Sequence, residues 1–307
     1  MSIPELDAAA LFDPAHQRHT TSLALLKTAA VEVGFMTLTN TEISAAHVNR
    51  VLQTYQQFFA LPFGVKASLD MATTNSNRGW GAPGAEQVDP AANPDYKEVF
   101  DCGLELSTDD PLSVHNYYAP NRWPEKPVEF KSVISDYYVQ AATLSLKLLQ
   151  AVALSIGEPE DYFNDKFDKP MALLRGNYYP PRPADAGSAD YGIAPHTDYG
   201  CLTLLATDGA PGLEIQTRKN EWIPVCVKPG TFVINFGEML QIWTGGRVVA
   251  TPHRVVGGPG ERLSIPFFFN PRLDVNIAPP ADSRTISAGE YLSKRYNQTY
   301  VHRQENA

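Results

Sequence analysis

The chain has 307 residues, 43% of them hydrophobic and 19% charged, a balance that suits a packed globule and excludes disordered and collagen-like chains. Its 25 Lys and Arg against 34 Asp and Glu leave a net charge of −9 with no basic cluster, so electrostatics argue against nucleic acid as a partner. No apolar run approaches the roughly 20 residues that cross a bilayer, which argues against a membrane protein.

In chain order, the opening stretch MSIPELDAAALFDPAHQRH lacks the basic head and apolar centre of a secretory leader. Residues 20–33 carry apolar side chains at helical spacing and stop at Gly34, a natural C-cap. FMTLTN (35–40) reads as a strand, and 45–60 as a helix capped by Thr41 or Ser44 and stopped before Leu61-Pro62. Residues 73–95 are rich in Gly, Pro and Asn and predict a long functional loop. Residues 126–156 predict a scaffold helix with Val133, Tyr137, Ala141, Leu144, Leu148 and Val152 on one face and Gly157 at its end.

Beyond residue 170 the texture changes. LLRGNYY, GCLTLLAT, GLEIQT, WIPVCV, TFVINF, RVVATPHRVV and RLSIPFFF alternate with turn signals, the pattern of a β-sandwich or barrel. Residues 287–302 predict a closing helix. The expectation is one mixed α+β domain over 1–307. It divides into an N-terminal segment (1–125), scaffold helices (126–170), a β core carrying the site (171–275) and a C-terminal helix (276–307). Cys102, Cys201 and Cys226 are unclustered and read as thiols in or near the core, which suits a reducing cytoplasm.

Of the seven histidines, His16, His19, His47, His115 and His302 have no candidate partners nearby in sequence. His196 and His253 differ. If PHTD enters a strand, His196 and Asp198 share a face, because residues two apart do. A hydrogen-bonded pair would explain them, but His253 lies in another predicted strand. Two histidines and one carboxylate form the set that holds non-haem Fe(II) on one face and leaves other positions open for chemistry. Arg262 and Ser264 share strand parity with Pro266 and Phe268. A guanidinium fork with a neighbouring hydroxyl suits a carboxylate, from a ligand or from a distant Asp or Glu. Asn177 and Tyr179 share one face of LLRGNYY. Arg175 has their parity: facing inward it needs an anionic partner, on the substrate or on a buried side chain, and otherwise it sits at the exposed strand end. Phe268 is a pocket wall or a core side chain.

These residues together resemble the isopenicillin N synthase-like family of Fe(II)/2-oxoglutarate-dependent oxygenases. The resemblance rests on NYYP (177–180), PHTDYGCLTLL (195–205), GLEI (212–215), WIPV (222–225), NFGE (235–238), TPHRVV (251–256) and RLSIPFFFNP (262–271). NRGW (77–80), DYKEVFDCG (95–103) and NRWP (121–124) extend it over nearly the whole chain. It implies a double-stranded β-helix, or jelly roll, surrounded by helices. It further implies iron on His196, Asp198 and His253, with Arg262 and Ser264 clamping the distal carboxylate of 2-oxoglutarate and Asn177 and Tyr179 completing that pocket. O2 is then a cosubstrate, ascorbate a candidate reductant, and a small organic metabolite is hydroxylated, desaturated or cyclised with release of succinate and CO2. The presence of Asp198 argues against a halogenase. Some members keep Arg-x-Ser without using 2-oxoglutarate, so an Fe(II) oxidase of the same fold is the alternative. A non-catalytic metal- or ligand-binding barrel is the reading of another class. Gly245-Gly246 stands where many members have Asn-Gly and predicts a changed turn.

The remaining expectations concern substrate. Tyr199 would flank the iron. Glu98 would lie near the mouth of the site, beside a Lys97 read as part of a surface or intra-segment ion pair. The 73–95 loop, with Arg78 and Trp80, would act as a lid. A small molecule is the only partner expected, and a monomer is the working oligomeric state.

Overall fold

A computed structural model describes residues 2–300 except 75, 183, 188, 189 and 281. Twelve strands are present among them: β1 (Glu5–Asp7), β2 (Phe35–Thr39), β3 (Gly79–Gly81), β4 (Glu98–Gly103), β5 (Leu173–Tyr179), β6 (Ile193–His196), β7 (Leu202–Thr207), β8 (Leu213–Gln216), β9 (Trp222–Pro224), β10 (Phe232–Phe236), β11 (His253–Val255) and β12 (Arg262–Phe269). The helices are α1 (Ala8–Phe12), α2 (His19–Thr28), α3 (Ala45–Phe59), α4 (Phe63–Ala67), α5 (Phe130–Ser155), α6 (Glu238–Trp243) and α7 (Ala288–Thr299).

The strands form an eight-stranded sheet, β1-β2-β10-β7-β12-β5-β4-β3, and a four-stranded sheet, β6-β11-β8-β9. The large sheet has two different faces, and β12 shows why. Leu263, Ile265, Phe267 and Phe269 pack into the core shared with α3 and α5. Arg262, Ser264, Pro266 and Phe268, the alternate residues, line an internal cavity. A second core joins the cavity side of the large sheet (Phe35, Leu205, Val233) to the small sheet (Leu213, Ile215, Val255). The result is the double-stranded β-helix, with helices outside one sheet and the cavity between the two.

Local chemistry sets the helix ends. Ser44, not Thr41, caps α3 by accepting from His47 N. Gly34 closes a widened turn after α2 with φ 75°. A Cβ there would lie 2.2 Å from Thr251 Oγ1, so glycine permits the close approach of β2 to the segment leading into His253. All six predicted face residues of α5 are buried, and Gly157 follows it with φ 83°. The helix begins at Phe130 rather than 126 because a turn through Pro127 precedes it. Ser287 caps α7, which ends at Thr299; the last residues expected in that helix, with His302, lie outside the described residues.

The N-terminal segment adds four strands to the β core, since β1 to β4 all join the large sheet. The β4 run EVFDCG pairs with β5 from Glu98↔Tyr178 to Gly103↔Leu173 and is buried almost throughout, so it lacks the alternation that marks a half-exposed strand. The 73–95 segment needs correction: it is not one free loop. It contains β3, and Asn77 to Gly81 are buried. The Gly245-Gly246 turn has φ 62° and 82°, both in the left-handed region that glycine adopts freely. Cys226 is exposed rather than near the core.

Candidate active site

The small sheet and the segment just after β6 bring His196, Asp198 and His253 together, with one candidate ligand atom from each lying within 4.8 Å of the others. His253 pairs directly across from His196 in the β6/β11 ladder, and their rings are 4.3 Å apart at the centroids. The strand-parity argument for Asp198 needs correction: β6 ends at His196 and Asp198 lies in the bend beyond it. Asp198 Oδ1 nevertheless sits 3.7 Å from His196 Nε2 and 3.6 Å from His253 Nε2.

Each of the three is oriented by a second partner. His196 Nδ1 is 2.7 Å from the Ala194 carbonyl and His253 Nδ1 is 3.2 Å from the Thr251 carbonyl. A carbonyl only accepts, so each Nδ1 carries the proton and each Nε2 points a lone pair at the shared centre. Asp198 Oδ2 accepts from Thr203 Oγ1 at 2.5 Å and from Asn235 Nδ2 at 2.6 Å, leaving Oδ1 for the histidine side. The edge of Phe35 supports the His253 ring, 5.3 Å away. Burial first, then the neighbouring His253, pulls the His196 imidazole down to about 3. Burial alone would raise the Asp198 carboxyl, but His253 and His196 outweigh it and hold the group well below the usual carboxylate range. His253 is opposed by burial and raised overall by Asp198. With the proton of each neutral ring on Nδ1, the centre can offer a carboxylate and two nitrogen lone pairs, the donor set of a divalent non-haem iron site.

A cavity with about 980 Å³ of atom-free space, its mouth included, opens from this centre. Its walls include the inward faces of β5 (Leu173, Arg175, Asn177, Tyr179) and β12. Arg262 is 5% exposed, and among the described residues no carboxylate lies within ion-pair distance of it. Its Nε and Nη1 have no hydrogen-bond partner, and its guanidinium lies 5.0 Å from the Tyr179 ring centroid. Ser264 Oγ is 3.3 Å from Asn177 Nδ2, while Asn177 Oδ1 is unpartnered. A buried cation and amide oxygen with unfilled valence mark a place for an anionic ligand with its own polar atoms.

The candidate substrate residues divide. Phe268 and Tyr199 line the cavity. Tyr199 is held there by Thr299 Oγ1 at 2.5 Å and by the Arg295 guanidinium 4.4 Å from its ring. Arg175 also faces inward, but its anionic partners are side chains of the chain itself: Asp101 takes two hydrogen bonds and Glu86 a third. Glu98, Arg78 and Trp80 do not line this cavity. Glu98 pairs with Lys66 at 2.6 Å and accepts from Trp80 Nε1 at 2.8 Å. Arg78 donates to the carbonyls of Asn77 and Tyr117. The lid expected of Arg78 and Trp80 is therefore an anchored strand, and Glu86 and Val88 are the cavity-lining residues of the 73–95 segment.

Lys97, expected in a surface or intra-segment ion pair, does pair within its segment, with Asp95 at 2.6 Å, but it is not at the surface: it is 3% exposed and also bound to Glu86 at 2.8 Å. Sequence reasoning also missed Asn235 and Glu238 of NFGE. Glu238 accepts from Thr197, between the two ligand candidates, and from Tyr291 and Arg295 of α7, tying the ligand bend to that helix. A lone Asn in the apolar run FVINF, with the parity of cavity-side Val233, was the available signal for Asn235. Gly237 lets this turn close: a Cβ would lie 2.7 Å from the Asp198 carbonyl oxygen.

Comparison with known proteins agrees with this geometry. Residues 170–271 match the model of the 2OG-Fe(II) oxygenase superfamily, and residues 3–126 match that of the N-terminal region of the non-haem dioxygenase in morphine synthesis. A 2-oxoglutarate-Fe(II) type oxidoreductase of Aspergillus fumigatus is 31% identical over 273 residues, 87% of this chain and 81% of that protein. A homoarginine-6-hydroxylase of Arabidopsis thaliana is 32% identical over 260 residues, 83% and 78% of the two chains. The crystal structure of a full-length Neurospora crassa protein in complex with alpha-KG and thymine superposes with a TM-score of 0.84 at 29% identity, covering 96% of each chain.

Proposed function

This chain belongs to the 2OG-Fe(II) oxygenase superfamily and is a 2-oxoglutarate-dependent dioxygenase of small metabolites, and from that premise we propose which residues do the work. His196, Asp198 and His253 would hold the iron. Arg262 and Ser264 would bind the distal carboxylate of 2-oxoglutarate, and Asn177 and Tyr179 would line its pocket. The observation that carries this reading is Arg262, a buried guanidinium without a counter-ion among the described residues, in the same cavity as the triad. The bound metal supplies oxygen activation, coupled to breakdown of 2-oxoglutarate into succinate and CO2.

The protein's own residues do the rest. Ala194 and Thr251 keep the two imidazoles in the tautomer that presents Nε2. Thr203 and Asn235 hold Asp198 to a single free oxygen. Leu205, Leu213 and Val255 keep the inner wall apolar, which limits access of water to the reacting groups. A ferrous ion, one aspartate, a dicarboxylate and Arg262 sum to zero charge, so the loaded centre carries no uncompensated charge into the barrel. The same sum argues against the oxidase alternative without 2-oxoglutarate, which would leave Arg262 unmatched. The substrate is hydroxylated, desaturated or cyclised in the volume beside Phe268 and Tyr199.

We read the chain as one oxygenase domain that acts as a monomer in the cytoplasm, where its three free cysteines would stay reduced. Among the described residues, no helix is long and apolar enough to cross a membrane. Succinate release by purified protein tests the reading. It should require both Fe(II) and 2-oxoglutarate and disappear in His196→Ala. Release without either component, or undiminished release by that variant, would overturn the assignment.

A further inference from the structure

We propose that the cavity wall formed by Glu86, Lys97 and Arg175 is the subsite for the substrate's polar group, and that it selects an N–H donor, neutral or cationic, over a carboxylate. The proposal rests on the cavity being the oxygenase site and adds the chemical class of what enters it.

The wall lies on the same strand face as the proposed 2-oxoglutarate pocket, since Arg175, Asn177 and Tyr179 alternate along β5. Its charges are already matched from within. Arg175 Nε and Nη2 donate to the two oxygens of Asp101 at 2.8 and 2.7 Å, and Nη1 donates to Glu86 Oε2 at 2.9 Å. Nη2 also reaches the Tyr300 hydroxyl at 2.8 Å. Lys97 Nζ sits between Asp95 at 2.6 Å and Glu86 at 2.8 Å. Both cations are therefore engaged. The contacting set holds two cations and three carboxylates, an excess of one negative charge.

Glu86 is where that excess meets the cavity. It lines the cavity at 5% exposure, and its Oε1 is ion-paired with Arg175 Nη2 at 2.7 Å. A substrate N–H brought against this wall would meet a carboxylate. A substrate carboxylate would find no unengaged cation in this wall and would enter a site already rich in negative charge, where burial of an unpaired ion is costly. The one buried cation in the cavity without a carboxylate partner among the described residues, Arg262, is the one proposed to be taken by 2-oxoglutarate.

The test uses the Fe(II) enzyme, saturated with 2-oxoglutarate under anaerobic conditions, and two matched trios. These are benzamidine, benzamide and benzoate, and pentanamidine, pentanamide and pentanoate. Binding is read as the rise in Tm and by calorimetric titration. In at least one trio the amide or amidine should bind at least about tenfold more tightly than its carboxylate. The amidine's advantage should shrink by about tenfold in Glu86→Gln. A carboxylate that binds as well as its partners in both trios, or trios in which neither donor form binds, overturns the proposal without recourse to any variant. The rise in Tm caused by 2-oxoglutarate alone tests the site itself. If that signal is absent, the underlying site reading fails; if it is present and the carboxylates are preferred, only the subsite fails.

Discussion

Arg175 and Arg262 stand on paired strands, face the same cavity and are almost equally buried, at 7% and 5% exposure. Their surroundings are opposite. Arg175 has Asp101, Glu86 and Tyr300 around it, whereas Arg262 has an aromatic face and unfilled hydrogen-bond valence. A buried guanidinium matched by its own chain is part of the scaffold, and one left unmatched is a binding group whose partner comes from outside. The contrast separates structure from recognition within one ladder, where sequence parity alone makes the two look alike.

The largest test of this contrast is Arg175→Met. Removing that guanidinium strands Asp101 in the interior and leaves Glu86 with Lys97 alone, and loss of about 3–5 kcal/mol of stability is expected, seen as a Tm lowered by many degrees. A Tm within a degree of wild type would break the comparison. Arg262→Met should behave in the opposite way: without ligand its Tm should equal or exceed that of wild type, since an unpaired buried charge is removed, yet 2-oxoglutarate should no longer raise it. Asn235→Ala removes one of the two donors that hold Asp198 Oδ2 and should weaken iron binding by about 10–100-fold in a metal titration, with little change in 2-oxoglutarate affinity once iron is saturating. Ser264→Ala removes one neutral hydroxyl and should cost about 1 kcal/mol, a five- to tenfold rise in the KM for 2-oxoglutarate with kcat nearly unchanged.

An acid titration sharpens the same point. Burial opposes ionisation of Glu86, but Arg175 and Lys97 more than compensate and bring its carboxyl from 4.5 to about 2. A group depressed on folding adds stability above its unfolded value and loses it as pH falls towards the folded one. Wild type should therefore lose stability more steeply than Glu86→Gln between pH 4.5 and 2. Parallel acid limbs in urea titrations would argue that Glu86 is not held by these cations.

The β core and the triad were legible because their information is local. Alternation in RLSIPFFF sends Arg262 and Ser264 inward and Leu263 and Ile265 to the helices, and the structure keeps that division. The proximity of His196 and His253 could be inferred only from chemistry, because the register that pairs β6 with β11 is a tertiary fact. Of the ion cluster only the need was legible, an inward Arg175 requiring an anionic partner; the identity of the partners was not. Arg175 meets Asp101, Glu86 and Tyr300 across 74, 89 and 125 residues, and nothing near any of them in sequence announces the others. Lys97 and Glu98 show the same limit. Adjacent in sequence, they send one side chain to the cavity wall and the other to Lys66 and Trp80; the intra-segment pair of Lys97 with Asp95 was legible, but the burial of Lys97 and the partners of Glu98 were not.

The most direct test of the account is anaerobic calorimetric titration of 2-oxoglutarate into the Fe(II)-loaded wild-type protein and into Arg262→Met. The account predicts one equivalent bound per wild-type chain and affinity about 100-fold weaker in the variant, the loss of roughly two charge-assisted hydrogen bonds. Equal affinity in the two proteins would contradict it.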